Sequence, residues 1–260
     1  LFKTTSEEDA KEIFKNLSIK NFDRLVLAGG DGSVCFGVNQ ILKYPSLADK
    51  KIGYIPTGTA NILQIETKIP KNAEFIAKVL IAGDTKKISL SKVNDQFFFL
   101  MTGIGFDGKI VASIDTRIKK YLGKIIFALK GFQHFLFLEN NKMEILIDDK
   151  RTEADWILSM NSKYYAGPHE VTKTTDIFQN GLVTYIFKDL TRVKILYYLF
   201  LILFYGDLSR AKSIVTTHAK KIKINKLNSN LVIQTDGEIF DSKERVEIQQ
   251  TNKFINLVTV

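Results

Sequence analysis

Hydrophobic positions in the first 90 residues follow two alternating patterns. Apolar residues recur with helical spacing over residues 7–17, 34–42 and 75–82. Short, mostly apolar segments at residues 24–28 and 51–55 lie between these helices and have the length of buried strands. Strands that alternate with helices are typical of βαβ units, so this part of the chain predicts a mainly parallel sheet.

The pattern changes after about residue 87. Residues 88–93 and 96–102 flank an Asn-Asp turn and predict a β-hairpin, with residues 96–102 as one strand. A long amphipathic helix interrupted by Gly131 is predicted at residues 120–137. Short strands follow at residues 143–147, 155–161, 181–187, 221–225, 231–235 and 245–249, with one helix at residues 193–205. We therefore expect an α/β domain over residues 1–88 and a β-rich domain over residues 89–260.

The most apolar segment runs from Ile195 to Tyr205. It is about half as long as a helix that crosses a bilayer, which needs ~20 apolar residues. We interpret it as a buried helix, with a helix that lies in a membrane surface as the alternative.

Composition narrows the partners and the compartment. The 260 residues are 45% hydrophobic and carry a formal net charge of +9, which favours acidic partners such as anionic lipid or nucleotides. The lysines are spread along the chain without interleaved aromatic residues, so nucleic acid is not an expected partner. Cys35 is the single cysteine, which excludes an internal disulfide and is consistent with a cytoplasmic protein.

A glycine-rich turn, Gly29-Gly30-Asp31-Gly32-Ser33, joins the first predicted strand to a predicted helix. Backbone N–H groups at such a turn and helix start form an anion site. A carboxylate there fits phosphate binding if a divalent cation lies between them or if Asp31 binds nucleotide hydroxyls. The alternative is an ordinary βα turn in which Asp31 caps a helix.

Five further motifs follow this turn in a fixed order. They are Ile55-Pro-Thr-Gly-Thr-Ala-Asn61, Gly103-Ile-Gly-Phe-Asp-Gly108, Asn161-Ser-Lys-Tyr-Tyr-Ala-Gly167, Asp176-Ile-Phe-Gln-Asn-Gly-Leu182 and Thr235-Asp-Gly-Glu238. The series resembles the diacylglycerol kinase catalytic-domain family, in particular its bacterial lipid kinase branch, to which sphingosine and ceramide kinases are related. The resemblance extends from about Thr4 to Val260. NAD kinases share the first glycine turn but differ in the second motif.

This resemblance implies a fold and an activity. The fold is an NAD-kinase/diacylglycerol-kinase-like α/β domain followed by a β-rich, sandwich-like domain, with the active site in the cleft between them. The activity is transfer of the γ-phosphoryl group of ATP, with Mg²⁺, to the hydroxyl of diacylglycerol or a similar lipid alcohol. The implied location is cytoplasmic and peripheral at the inner face of an anionic membrane, and a homodimer remains open.

The resemblance also implies roles for individual residues. Asp236 is the candidate general base, and Glu238 orients Asp236 or the metal. The implied nucleotide-binding residues are Gly29, Gly30, Asp31, Gly32 and Ser33 in the first turn, Gly58, Thr59 and Asn61 in the second, and Thr4 near the start of the chain. A structural magnesium site is implied at Asn180, with Ile177 and Leu182 as carbonyl donors, although asparagine replaces the family's aspartate there.

Some positions depart from the family pattern, namely Cys35, Phe36, Ile62 and Asn180. The family's opening strand is also missing before Leu1, so we expect the chain to be a piece of a longer protein. Two alternatives stay open, the first because of these departures and the second because NAD kinases share the first glycine turn. One is a catalytically silent homologue that binds nucleotide or lipid, and the other is a kinase for a soluble substrate.

Overall fold

A computed structural model of the chain describes residues 1–113, 124–138, 142–148, 150–225, 232–241 and 245–260. The helices are α1 Glu7–Leu17, α2 Asp31–Ile41, α3 Pro45–Ala48, α4 Ile62–Thr67, α5 Ala73–Ala82, α6 Phe106–Ala112, α7 Lys124–Leu136 and α8 Arg192–Tyr205. The strands are β1 Arg24–Gly29, β2 Lys51–Pro56, β3 Asp84–Val93, β4 Gln96–Phe98, β5 Met101–Ile104, β6 Met143–Ile147, β7 Lys150–Ala154, β8 Trp156–Met160, β9 Tyr164–Tyr165, β10 His169–Glu170, β11 Val183–Phe187, β12 Ile214–Thr217, β13 Lys221–Asn225, β14 Val232–Thr235, β15 Glu238–Asp241 and β16 Arg245–Thr259.

The front of the molecule is the predicted α/β arrangement. Strands β1 and β2 pair in parallel, with Gly29 opposite Pro56, so the loops that follow them leave the same edge of the sheet. Helix α2 connects them and buries Val34, Val38 and Ile41 completely against the core. The sequence prediction of a parallel βαβ unit is confirmed here.

Strand β16 joins the front and rear of the molecule. Its first residues pair with β13, its middle pairs antiparallel with β3, and Asn256 and Leu257 pair in parallel with β2. The register shifts between Gln250 and Lys253, where the strand is bulged. One eight-stranded sheet therefore contains strands from both ends of the chain.

The rear of the molecule is the predicted sandwich. A six-stranded sheet has the order β12-β11-β8-β5-β14-β15. It contributes Ile104, Ile157 and Ile233 to a buried cluster that also contains Ile145 and Ile222 from the eight-stranded sheet. The two sheets thus share one apolar core, which is the packing expected of a β-sandwich.

The predicted single strand at residues 96–102 is wrong. Residues 96–98 form β4 in the eight-stranded sheet, and residues 101–104 form β5 in the six-stranded sheet. Phe99 and Leu100 make the crossing between the sheets. Their backbone N–H groups bond to the carboxylate of Asp236 instead of to a strand. A side chain far along the chain therefore interrupts the ladder, and no local pattern reveals this.

Two helix predictions are also corrected. Helix α7 runs through Gly131 without interruption. Residues 120–123, the predicted start of this helix, lie outside the described residues. Leu231, the first residue of the predicted strand 231–235, also lies outside them. Helix α8 is buried on only one side, at Ile195, Tyr198 and Leu201. Over the described residues, we find no helix with the length and apolarity needed to cross a bilayer.

Candidate active site

The two glycine turns meet at the ends of β1 and β2. The N–H of Thr57 donates to the carbonyl of Gly29 across 3.0 Å. A Cβ built on Gly30 would lie 3.2 Å from the Cα of Gly58, and one built on Gly58 would collide with Gly30 itself. Glycine is required at these positions because the two backbones touch.

Asp31 links the two turns through its side chain. It is the first residue of α2, yet its carboxylate accepts hydrogen bonds from the N–H groups of Ile62 (2.8 Å) and Leu63 (3.1 Å) at the start of α4. Asp31 is therefore a helix cap, as one alternative proposed, but for the helix after the second turn. The hydrogen bond to Asp31 uses only the backbone N–H of residue 62, so an isoleucine side chain at this position is compatible with it.

Asn61 holds the second turn in shape. Its side chain accepts from the N–H of Gly58 (3.0 Å) and donates to the carbonyl of the same residue (2.8 Å). The hydroxyl of Tyr54 also donates to its side-chain oxygen. These hydrogen bonds agree with the supporting role expected of Asn61. Thr59 is half-buried within the loop between Gly58 and Asn61.

The start of α2 is suited to an anion. Gly30 provides no side-chain cap for this 11-residue helix, and Asp31 and Gly32 in its first turn are buried. Ser33 is exposed in that turn and adds a hydroxyl. A phosphate placed here would meet the positive end of the helix dipole.

Asp236 is almost completely buried, with 2% of its surface exposed. Its carboxylate accepts three backbone hydrogen bonds, from Phe99 (3.1 Å), Leu100 (3.1 Å) and Met101 (2.8 Å). Burial raises the pKa of Asp236 to about 7, and the hydrogen bonds from Met101 and Phe99 oppose that rise. The side chain thus anchors the β14–β15 turn to the crossing between β4 and β5.

Helix α2 supports the same crossing from the other side. The side chain of Asn39 accepts from the N–H of Phe97 (2.8 Å) and donates to its carbonyl (2.9 Å). The thiol of Cys35 donates to that carbonyl as well and lies beside Asp236; burial raises the pKa of this thiol. Cys35, a departure from the family pattern, is therefore a packing residue between α2 and the rear hairpin.

Glu238 brings the rear hairpin to the first glycine turn. Its side chain is exposed and lies directly against Gly32, where any Cβ would collide with it. Glu238 therefore lies beside the first turn of α2. Front and rear motifs that are about two hundred residues apart in the chain form one site in the fold.

A buried network behind the hairpin was missed by the sequence analysis. Asp107 accepts from Trp156 Nε1 (3.2 Å) and from Gln234 Nε2 (3.0 Å), and the side-chain oxygen of Gln234 accepts from the N–H of Gly237 (3.0 Å). Burial raises the pKa of Asp107 to about 6. The motif from Gly103 to Gly108 contained this aspartate, but its partners become visible only in the fold.

A second missed contact joins the two halves. Glu66 in α4 accepts from the hydroxyl of Ser162 (2.6 Å) and the N–H of Lys163 (2.9 Å). Burial raises the pKa of Glu66. The second glycine turn is thereby fixed to the rear half as well as to Asp31.

The predicted magnesium loop does not fit a divalent cation. Asn180 accepts from Gln250 (2.9 Å) and donates to Asn252 (3.3 Å), and the carbonyl of Ile177 accepts from the N–H of Ser89 (2.8 Å). Leu182 is buried. These donors are neutral and two are already used, whereas a hard cation prefers carboxylate oxygens. Among the described residues, no group of three or more His, Cys, Asp or Glu side chains is placed to hold a metal.

Thr4 is not joined to the site by hydrogen bonds. It is exposed before α1, and within the described part of the chain it makes no hydrogen bond to either glycine turn. Its neighbour Thr5 bonds to Asp9 instead, through both its N–H and its hydroxyl.

Comparisons with known proteins agree with the motifs. Residues 1–93 match the family model of the diacylglycerol kinase catalytic domain. The diacylglycerol kinase of Bacillus subtilis (strain 168) is 23% identical over 239 residues, which cover 90% of this chain and 77% of that protein. The diacylglycerol kinase of Staphylococcus aureus (strain bovine RF122 / ET3-1) is 24% identical over 221 residues, covering 84% and 69%.

Solved structures share the fold. A diacylglycerol kinase from Bacillus anthracis str. Sterne superposes with a TM-score of 0.76 at 23% identity, covering 99% of this chain and 84% of that one. An NAD kinase from Archaeoglobus fulgidus, solved in complex with ATP, gives a TM-score of 0.51 at 14% identity, covering 100% and 82%. These comparisons confirm the predicted resemblance to the diacylglycerol kinase catalytic-domain family and its bacterial branch.

Proposed function

We propose that this protein is a lipid kinase that transfers the γ-phosphoryl group of ATP, supplied as its magnesium complex, to the hydroxyl of diacylglycerol or a similar lipid alcohol. One observation supports this proposal above all. The acidic side chain of Glu238 lies against Gly32, in the turn best suited to bind phosphate. Phosphoryl transfer requires a positioned phosphate and a proton acceptor at the same place.

We assign different roles to the residues of the site. In this proposal the first turn of α2, with Gly30, Gly32 and Ser33, binds phosphate oxygens, and the turn held by Asn61 lies on the other side of the nucleotide. Asp31 and Glu66 keep that second turn in place. No step is assigned to the Asn180 loop, because its donors do not fit a metal.

We assign the proton acceptor to Glu238 and give Asp236 a positioning role. Asp236 is buried and already accepts three backbone hydrogen bonds, so a lipid hydroxyl has poor access to it. Glu238 is exposed, two residues further along the same turn. A general base must be within hydrogen-bond reach of the proton that it takes, and the exposed carboxylate meets that requirement better.

The relatives support a lipid acceptor, since the similar proteins from Bacillus subtilis and Staphylococcus aureus are diacylglycerol kinases. The net charge of +9 supports work at an anionic membrane surface. We therefore propose a cytoplasmic protein that acts peripherally at the inner face of the membrane.

The test compares Glu238→Gln with Asp236→Asn in transfer of labelled phosphate from ATP to dispersed diacylglycerol. We expect Glu238→Gln to lower kcat by roughly 100-fold or more while ATP binding and thermal stability stay unchanged. Asp236→Asn puts an amide N–H₂ against backbone donors and is expected to lower the free energy of unfolding by about 1–3 kcal/mol. Glu74→Gln, at an exposed position in α5, is the matched control.

Other outcomes decide against parts of the proposal. If Glu238→Gln turned over like the wild type and a folded Asp236→Asn did not, Asp236 would be the general base. No transfer by the wild type to any lipid in a total membrane extract would favour a silent homologue. Transfer to a water-soluble alcohol alone would favour a kinase for a soluble substrate.

A further inference from the structure

Helix α8 is apolar on its outer side as well as on its buried side. No charged residue occurs between Ile195 and Tyr205. We define the α8 face as its exposed apolar side chains, which are Val193, Leu196, Tyr197, Leu199, Phe200, Leu203, Phe204 and Tyr205. A contiguous apolar surface of this kind is rare on soluble monomers and marks an interaction site.

Helix α7 ends next to this face. The guanidinium of Arg192, the first residue of α8, donates to the carbonyls of Phe135 (3.2 Å) and Leu136 (2.6 Å) at the end of α7. Phe132, Leu136 and Phe137 are exposed there. Two helix ends therefore contribute exposed aromatic and aliphatic side chains to adjoining surfaces.

Basic residues lie at both ends of the α8 face. The segment 188–212 contains the basic residues Lys188, Arg192, Lys194, Arg210 and Lys212 and the acidic residues Asp189 and Asp207. The ammonium of Lys194 donates to the carbonyl of Lys188 (2.9 Å), and the guanidinium of Arg210 lies 4.2 Å from the centre of the Tyr205 ring. Basic residues therefore outnumber acidic ones in this segment, five to two, and Glu170 adds one carboxylate beside Gly206.

We propose that the α8 face docks on an anionic lipid bilayer and lies in the boundary between headgroups and acyl chains. An apolar helix face with aromatic side chains and a basic rim has the chemistry for this boundary. A second copy of the chain is the less suitable occupant, because an isologous pairing would bring two positive rims together. This proposal rests on the proposed function, in which docking gives the active site access to a membrane lipid.

Side-chain contacts connect this face to the candidate active site. Tyr198, on the inner side of α8, packs edge-on against Phe187 with ring centres 5.1 Å apart. Phe187 stacks on Trp156 at 3.9 Å, and Trp156 donates to Asp107. Asp107 in turn holds Gln234, which bonds to the hairpin at Gly237. A series of contacts through Phe187, Trp156, Asp107 and Gln234 thus links α8 to the hairpin that carries Glu238.

The experiment measures binding of the full chain to vesicles of phosphatidylglycerol and phosphatidylcholine by co-sedimentation. Leu203→Gln/Phe204→Gln changes two side chains that are 62% and 71% exposed, so the fold does not depend on them. Ile19→Gln/Ile81→Gln is the matched control, at positions 87% and 77% exposed outside the α8 face. We expect the first variant to bind roughly 10-fold or more weakly than the control, which binds as the wild type does. We also expect wild-type binding to fall with added salt and on pure phosphatidylcholine.

Equal binding by both variants would overturn the proposal. A wild-type dimer that becomes a monomer in Leu203→Gln/Phe204→Gln, with no vesicle binding by either, would overturn it in favour of a second copy. A dissolved short-chain diacylglycerol tests the proposed function separately. If this soluble diacylglycerol is phosphorylated but the protein does not bind vesicles, only the proposal for the α8 face is contradicted. If the α8 face binds vesicles but the diacylglycerol is not phosphorylated, only the proposed function is contradicted.

Discussion

Gly58 and Gly30 approach so closely that the backbone of one turn occupies the space of a side chain on the other. A Cβ on Gly58 would also lie 2.8 Å from the Asn61 side-chain oxygen that holds the loop. Glycine is therefore needed at position 58 because the two turns touch there.

We predict that Gly58→Ala lowers the free energy of unfolding by about 1–3 kcal/mol and raises the KM for ATP. The added methyl group pushes the second turn away from Gly30 and disturbs the Asn61 hydrogen bonds. Gly181→Ala is the matched control, since a Cβ there has no atom within 4 Å. Chemical denaturation and ATP kinetics of the two variants provide the comparison. Equal stability of both variants would contradict the close approach described here.

Residue types at the site were predictable from sequence, but their partners were not. The motifs identified Asp31 and Asp236, since glycine neighbours and strand ends mark such positions. The groups that Asp31 binds are 31 residues away, and Phe99 is 137 residues from Asp236. Only the fold shows that both carboxylates accept hydrogen bonds from backbone N–H groups.

At the scale of elements, α4 depends on its neighbours. A six-residue helix is too short to persist alone in water. The carboxylate of Asp31 caps its first turn, and Glu66 near its end bonds to the rear half. The second glycine turn is therefore ordered by contacts from outside its own segment.

We predict that Asp31→Ala costs about 1–2 kcal/mol of unfolding free energy, because the N–H groups of Ile62 and Leu63 lose their acceptor. ATP affinity falls with it, since the second turn loses its link to α2. Asp31→Asn keeps one acceptor oxygen and is expected to retain part of the stability. Calorimetric melting and ATP titration give the two readouts. A fully stable Asp31→Ala with weak ATP binding would show that Asp31 acts on the ligand alone.

Local patterns predicted most elements and failed where tertiary contacts intervene. The helices of the front half follow their apolar spacing closely. The strand predicted at residues 96–102 is divided because Asp236 takes the N–H groups at the crossing. The helix at residues 193–205 was expected to be buried, yet its outer side is exposed, since periodicity does not distinguish a core helix from a surface helix that is apolar all round.

At the scale of the whole molecule, buried carboxylates set the pH dependence of stability. Burial raises the pKa of Asp107 to about 6 and that of Asp236 to about 7. Both values exceed the ~3.9 of an aspartate in an unfolded chain. Between the unfolded and folded pKa values, the folded state holds more protons than the unfolded state. The stabilising contribution of the two protonated carboxyl groups is therefore complete below about pH 4 and is lost as the pH rises through 6 and 7.

We therefore predict that Asp107→Asn flattens the dependence of unfolding free energy on pH between about 4 and 6, by an amount on the order of 2 kcal/mol. Urea titrations across that range measure the effect. Asp95→Asn, at an exposed turn, is the control and leaves the slope unchanged. The same slope in wild type and Asp107→Asn would show that Asp107 is ionised throughout the range.

The order of an α/β part before a β-rich part was predictable, because it follows from the sequence of periodicities. The role of β16 was not. Its residues near 245–249 were predicted as a short strand, but the strand continues through Thr259 and pairs with β2. Pairing between strands some two hundred residues apart leaves no signature in either segment.

This pairing by β16 bears on how the protein is made. Asn256 and Leu257 lie beside Lys51 and Ile52, which leave the ribosome much earlier. The front sheet therefore lacks this neighbour of β2 until β16 has been synthesised. Pairing of β16 with both β2 and β13 then joins the front sheet to the sandwich in one step, as expected for a fold in which distant contacts dominate.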